Sequence, residues 1–263
     1  MRRREFIAGG LAAAWPVATR AQQLERIARI SVLTGADAPE TDGNMPAFLQ
    51  ALQQLGWTEG LNLRVDMRRG DGDAEQIRRH AVEMAALAPN VILTSGTASM
   101  GPVLQATRVV PIVFVNVADP VGAGFVSSLS RPGGNATGFV QFEYSLSGKW
   151  MELLKQMAPS VTRAAVLRDA AITSGIGQFA VIQAVAPSIG IEVSPINVRD
   201  SSEMTRAVAT FTQAGDGGLI VTASALSAFH RDLIVSLAAR HKLPAVYYRR
   251  LHVDRGGLMS YGP

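Results

Sequence analysis

The chain has 263 residues, 48% of them hydrophobic, with no cysteine; that is ample for a globular α/β core and excludes disulfides, thiolate metal sites and cysteine nucleophiles. Its net charge of +4 is concentrated at the N-terminus, where Arg2, Arg3, Arg4 and Arg20 stand against Glu5 and leave 21 basic and 20 acidic residues elsewhere. A nucleic-acid-binding surface is therefore not implied.

The chain opens "MRRREFIAGGLAAAWPVATRAQQ": a basic start, an apolar run from Phe6 to Val17, and a small-residue end at Thr19-Arg20-Ala21. The run is shorter than the ~18 apolar residues a bilayer demands, so residues 1–21 are expected to be an export signal cleaved near Ala21, with a periplasmic mature protein. Arg3-Arg4-Glu5-Phe6-Ile7 fits the twin-arginine form, although three arginines also suit the general export route. Beyond the leader no stretch reaches ~18 uninterrupted apolar residues, so the mature chain is not expected to span a membrane.

Short apolar runs then alternate with amphipathic segments. "ARISVLTG" predicts a strand, and "MPAFLQALQQLGW" a helix with Phe48, Leu49, Leu52 and Leu55 on one side and Gly56 as its stop. "LNLRVDMRR" predicts a strand, "DAEQIRRHAVEMAALAP" a helix capped by its Asp, and "NVILTS" a strand. A helix over "MGPVLQATR" and a strand over "PIVFVNV" follow. After the turn-rich "SRPGGNATG" the rhythm restarts with helix "SGKWMELLKQMAP", strand "RAAVLRD", helix "GQFAVIQAVAPSIG" and strand "IEVSPINV". Helix "SSEMTRAVATFTQ", strand "GGLIVTAS", helix "FHRDLIVSLAARHK" and strand "LPAVYYR" complete the second block. Continuous Val/Ile/Leu runs between helices predict parallel sheets covered on both faces, and two such blocks predict two similar lobes. The apolar "GGLMSYG" before Pro263 has no closing element, so the chain is expected to be C-terminally truncated.

Familiar chemical motifs fail one by one. Gly96 and Gly101 have P-loop spacing, but Pro102-Val103 stand where lysine and a hydroxyl are needed. There is no G-x-G-x-x-G after a strand and no G-x-S-x-G elbow. The histidines at 80, 230, 241 and 252 have no ligand spacing, so no metal or cofactor is expected. What remains is a row of strand ends: Thr34-Gly35, Ser95-Gly96-Thr97, Ala118-Asp119, Arg168-Asp169, Thr222-Ala223-Ser224 and Tyr247-Tyr248. Ligands bind beyond the carboxyl ends of strands in open α/β sheets. These hydroxyls, backbone donors and charges suit holding a small solute, and they include no nucleophile–base pair, so no catalytic residue is assigned. Asp119 either caps the turn after its strand or accepts from a ligand amine.

Several stretches carry a resemblance over nearly the whole mature length: "ALQQLGWTEGLNLRVDMR", "ALAPNVILTSGTAS", "PIVFVNVADPVGAGFVSSLSRPGGNATG", "GKWMELLKQMAPSVTRAAVL", "HRDLIVSLAARHKLPAVY" and "GGLMSYGP". They resemble the periplasmic substrate-binding proteins of ABC transporters, in the group related to tryptophan- and tyrosine-binding components. The resemblance implies the type I periplasmic-binding architecture, two Rossmann-like lobes with parallel sheets that close by a hinge. It maps the first lobe to 22–138 plus 254–263 and the second to 139–253, with crossovers near Gly138–Gln141 and Arg249–Asp254. It implies capture of a small, amino-acid-like carboxylate and delivery to permease subunits of the inner membrane. Ser95, Gly96 and Thr97 become carboxylate binders and Asp119 an amine partner, with Thr34, Arg168, Asp169, Thr222, Ser224 and Tyr247 completing the ligand-binding set. Arg168-Asp169 and Ala223-Ser224 depart from the family's frequent Asn-Pro and Pro-Asp, so an aromatic amino acid does not follow. A periplasmic sensor, an isomerase using Asp119 as base, and an inactive remnant are the alternative readings.

Overall fold

The computed structural model describes residues 27–35 and 39–263; the export-signal reading of residues 1–21 lies outside them. Two five-stranded sheets carry the architecture, every pairing between their strands parallel. The first sheet contains β1 (Ala28–Thr34), β2 (Leu63–Arg69), β3 (Val91–Ser95), β4 (Ile112–Val117) and β5 (Ala136–Val140), in the order β2-β1-β3-β4-β5. The second contains β6 (Arg163–Arg168), β7 (Glu192–Asn197), β8 (Gly217–Val221), β9 (Ala245–Tyr247) and β10 (Met259–Ser260), in the order β10-β9-β8-β6-β7. Numbered within each lobe, both sheets have the same strand order, and the sequence's repeated βα rhythm is the source of that likeness.

Parallel strands need crossover helices, and each lobe supplies them. In the first lobe α1 (Pro39–Gln54), whose Phe48 and Leu52 face inward, packs on Ile30, Val32 and Leu63. On the opposite face α2 (Ala74–Ala86) and α3 (Thr97–Ala106) bury Ile77, Met84, Met100 and Val103 against Leu33, Ile92 and Phe114. Asp73 caps α2 as the sequence predicts, accepting from the Glu75 and Gln76 amides at 2.8 and 3.1 Å. In the second lobe α4 (Ser147–Met157) and α5 (Thr173–Ile189) cover one face with the fully buried Trp150, Met151 and Leu154. Three further helices, α6 (Ser201–Thr212), α7 (Ala225–Phe229) and α8 (Arg231–Arg240), cover the other. A buried side chain of the size of Leu154 or Ile182 contributes roughly 1.5–3 kcal/mol, so each double-faced core accounts for its lobe. Among the described residues no helix is long and apolar enough to cross a membrane.

The structure corrects the sequence at several boundaries. Residues 136–140 form β5 and complete the first sheet, so a lobe boundary at 138 would cut a strand. Met259–Ser260 pairs with Val246 and Tyr247 of β9, which places "GGLMSYG" in the second sheet and not back in the first lobe. The Trp150 indole fixes that end by donating to the Tyr261 carbonyl at 2.7 Å. Leu55, expected on the buried side of α1, lies past the helix end and is exposed. The helix predicted over "FHRDLIVSLAARHK" is α8, and a short helix the sequence reading did not include, α7, precedes it, started by Ser224 through a capping box shared with Ser227.

Candidate functional site

A cleft of about 510 Å³ opens between the lobes, walled by the strand ends of both. Its first-lobe wall is built around the β3–α3 turn. Gly96 precedes α3 at φ 94° and ψ 153°, a conformation essentially reserved for glycine. The turn is braced from below: Ser99 donates its hydroxyl to the Ser95 carbonyl at 2.8 Å, and Thr94 donates to Ser99 Oγ at 2.7 Å. The Gly96 amide is tied to the Val115 carbonyl at 3.0 Å. These bonds hold the first turn of α3, whose leading amides have no intrahelical acceptor and carry the positive end of the helix dipole, against the cleft.

Side-chain oxygens surround that turn. Ser95 Oγ accepts from Asn116 Nδ2 at 3.1 Å, which leaves its own proton to donate. Thr97 Oγ1 accepts from the Ala118 amide at 3.2 Å in the same manner. Thr34, at the end of β1, is 3% exposed and lines the cleft, and its hydroxyl has no hydrogen-bond partner among the described residues. A buried hydroxyl left without a bond costs about 1–3 kcal/mol, and a ligand oxygen would relieve that cost.

The facing wall comes from the second lobe: Ile172 before α5, the segment from Ala223 to Ala225, and Tyr248 with Arg249 after β9. Two buried α5 side chains fix the middle segment. Gln178 Oε1 accepts from the Ala223 amide at 2.9 Å, and Ser174 donates to the Ala223 carbonyl at 3.1 Å. The lobes touch beside the cleft, since a Cβ placed on Gly35 would lie 3.3 Å from Cβ of Ala225. Glycine at 35 is what lets the two walls approach this closely.

Two parallel α/β lobes closing on a cleft of strand ends is the arrangement that the resemblance implies, and the comparisons agree. Residues 29–263 match the family model described as ABC transporter substrate binding protein. The chain belongs to that family. It is similar to a tyrosine-binding protein of Clostridioides difficile (strain R20291), 26% identical over 224 residues, which cover 85% of this chain and 64% of that relative. The chain thus spans about 64% of the length of the curated relative it matches. Among solved structures it is similar to an ABC domain from Streptococcus pneumonia in complex with L-Trp, with TM-score 0.78, 23% identity and coverage of 89% and 78% of the two chains. It is also similar to a ligand-free, open substrate-binding protein with adhesive properties from Clostridium difficile, with TM-score 0.55, 25% identity and coverage of 88% and 78%. The family and these relatives are binding proteins.

Of the residues expected in the site, the structure brings Thr34, Ser95, Gly96, Thr97 and Ser224 to the cleft wall. Ser224 stands there with its hydroxyl engaged in the α7 cap, accepting from the Ser227 amide at 2.9 Å. The other five are turned to structural work. The Asp119 carboxylate accepts from the Gly122 and Tyr144 amides at 2.7 and 3.3 Å, which is the turn cap and not the amine site. Asp169 accepts from the Ala171 amide at 2.9 Å, and burial pushes its carboxyl up. Arg168 donates to Asn197 Oδ1 at 2.7 Å and lies 4.3 Å from the Phe179 ring, with burial lowering its pKa. Thr222 is fully buried and donates to the Leu167 carbonyl at 3.0 Å. Tyr247 points into the core, stacked on His252, and burial raises its phenol to about 12. Its neighbour Tyr248 reaches the cleft instead, because consecutive side chains of an extended segment face opposite ways.

The sequence reading missed Asn116, Gln141, Phe48, Phe139 and Arg249, all of which line the cleft. Asn116 left one signal: it interrupts an otherwise apolar strand, where it adopts φ 56°, a left-handed conformation that asparagine tolerates. Among the described residues no group of His, Asp and Glu is placed to hold a metal ion.

Proposed function

We propose that the protein is the solute-binding component of an ABC import system and holds a small carboxylate-bearing solute of amino-acid size between its lobes. The observation that carries this reading is the buried Thr34 hydroxyl beside the first turn of α3, which has no partner among the described residues. Donors preset around an anion-binding helix start suit a carboxylate and need no covalent step. Ser95 and Thr97 supply two further hydroxyl protons to the same end of the cleft. Closure of the second lobe, with Tyr248 and Arg249, excludes water and strengthens each of these bonds. The close approach of Gly35 to Ala225 supports a closed disposition of the lobes, as does the higher TM-score against the L-Trp complex than against the open protein.

In this reading the leader directs export, the mature chain works in the periplasm, and permease subunits receive the solute. A thermal-shift screen of the protein against small carboxylates and amino acids is the test. A true ligand at roughly 100-fold its Kd stabilises by about 2.7 kcal/mol, a rise of a few degrees for a chain of this size. A broad panel of both classes without any shift refutes the reading.

A further inference from the structure

The two sheets repeat each other strand for strand, and one helix breaks the repeat. In the first lobe a single residue, Gly96, separates β3 from α3. At the equivalent place in the second lobe, residues 222–230 separate β8 from α8, and α7 forms among them. We infer that α7 is a latch between the lobes, in which Leu226 and Phe229 seat on the turn at residues 70–73 when the protein closes. The inference rests on the hinge closure of the reading above and not on the identity of the solute.

That turn is bonded to the cleft wall of its own lobe. The Gly70 amide donates to the Thr34 carbonyl at 2.9 Å, and the Gly72 amide donates to the Gly35 carbonyl at 3.0 Å. The Asp73 amide closes the turn on the Gly70 carbonyl at 2.7 Å. Gly72, at φ 78°, stands against α7: a Cβ built on it would lie 3.4 Å from Phe229 Cβ and 3.6 Å from Leu226 Cα. The gap between the turn and α7 is therefore no wider than one methyl group.

α7 turns a different face to each neighbour. Ala225 and Ala228, three residues apart, line the cleft, while Leu226 and Phe229, at the same spacing, lie toward the turn. Leu226 is rooted in the second-lobe core, whereas Phe229 is 42% exposed, its ring edge-on to His230 at 5.0 Å. The helix is pinned in place. Ser227 donates its hydroxyl to the Thr222 carbonyl at 2.9 Å, and Arg231 donates to the Ala228 carbonyl at 3.0 Å. A helix held in this way carries the cleft wall and the interlobe contact as one body. Seating of Phe229 and closure of the cleft are then the same movement. An apolar ring that leaves water on closing favours the closed form whatever occupies the cleft. Phe229 is thus a positioning residue, which acts on the solute through the walls it brings together.

The chain has no native cysteine, so disulfide trapping reads closure in its own background and without solute. Gly35→Cys with Ala225→Cys is the reporter pair: a Cβ on residue 35 lies 3.3 Å from that of Ala225, near the ~3.8 Å of a disulfide. Its rate of oxidation at a fixed glutathione ratio measures how often the lobes meet. Adding Phe229→Ala is expected to slow trapping roughly fivefold or more, and Phe229→Leu, which keeps an apolar contact, to stay within about twofold. The reduced proteins are expected to melt together, because a merely structural role for Phe229 would lower melting and leave trapping unchanged. A second pair, Gly72→Cys with Phe229→Cys, is expected to cross-link directly across the latch. Unchanged trapping in Phe229→Ala overturns the latch, as does failure of both pairs to cross-link. Phe229→Leu as slow as Phe229→Ala overturns the apolar contact. The thermal-shift screen decides the solute-binding reading separately, so a solute that binds beside unchanged trapping refutes the latch alone.

Discussion

The Asn116 side-chain amide donates to Ser95 Oγ at 3.1 Å across the gap between β4 and β3. That bond uses one of the hydroxyl's two acceptor positions and leaves the Ser95 proton to donate to a solute. Asn116→Gly keeps the backbone, since φ 56° suits glycine, and removes only the amide. Solute affinity is expected to fall by about 0.5–1.5 kcal/mol, the worth of one oriented hydrogen bond, with the melting temperature nearly unmoved. Titration of the variant with the tightest carboxylate checks this; wild-type affinity would remove Ser95 from the site.

Thr34 makes a prediction of opposite sign for the empty and the occupied protein. Thr34→Val keeps the volume of a 3% exposed residue and deletes the unpaired hydroxyl. Without solute the variant is expected to be as stable as the parent or more stable, by up to roughly 1–3 kcal/mol. With solute it should bind more weakly, while Thr34→Ser should retain most of the affinity. Chemical denaturation with and without ligand separates the two effects; a variant destabilised when empty would mean that Thr34 serves the core alone.

These two residues also show what a linear reading can and cannot reach. Thr34, Ser95, Gly96 and Thr97 were legible because parallel α/β sheets place strand ends at the cleft whatever the family. Asp119 and Asp169 were misassigned because an Asp after a strand serves equally as a cap, and only its amide partners tell the roles apart. Tyr247 was chosen over Tyr248 because a one-residue difference in register reverses the face, and a three-residue strand sets no clear alternation. β5 was hidden by Gly138, which reads as a turn residue. In the sheet its missing side chain is required, since a Cβ there would fall 2.0 Å from the Phe114 carbonyl oxygen. Asn116 and Phe139 depended on which strands lie side by side, which is a fact of topology and not of local pattern.

His252 sets an acid limit on stability. It is fully buried on the 3₁₀ turn Arg250–Arg255, stacked 4.9 Å from Tyr247, with Nε2 3.3 Å from the Ser227 carbonyl. Burial pulls its imidazole from 6.5 down to about 4, and the nearby Arg231 and Arg249 add to the decrease. Above pH 6.5 it is neutral in both the folded and the unfolded chain, so it imposes no penalty. Between 6.5 and 4 the unfolded chain binds the proton and the folded one does not, so stability falls as pH falls and levels off below 4. The full loss is about 3 kcal/mol. Melting temperatures between pH 7 and 4 should decline for the parent and less steeply for His252→Phe, which keeps the stack; parallel declines would assign the acid sensitivity to other groups.

Closure itself can be tested at Gly35. Its Cβ position lies 3.3 Å from Ala225 of the second lobe and 3.5 Å from Ala98 at the start of α3. A long side chain there is crowded by Ala225 while the lobes are together, and that contact is relieved once they part. Gly35→Leu is therefore expected to act as a wedge. Each lobe keeps its own core, because Gly35 is not among the buried side chains packed under α2, α3, α6 and α8. The melting temperature should change little, and the radius of gyration of the solute-saturated variant should match that of the empty parent. Affinity should fall at least tenfold, since the contacts from Tyr248 and Arg249 need the closed form. Small-angle scattering with and without the tightest carboxylate reads both states. A variant that still contracts on binding would show that the solute is held by the first lobe without closure of the second.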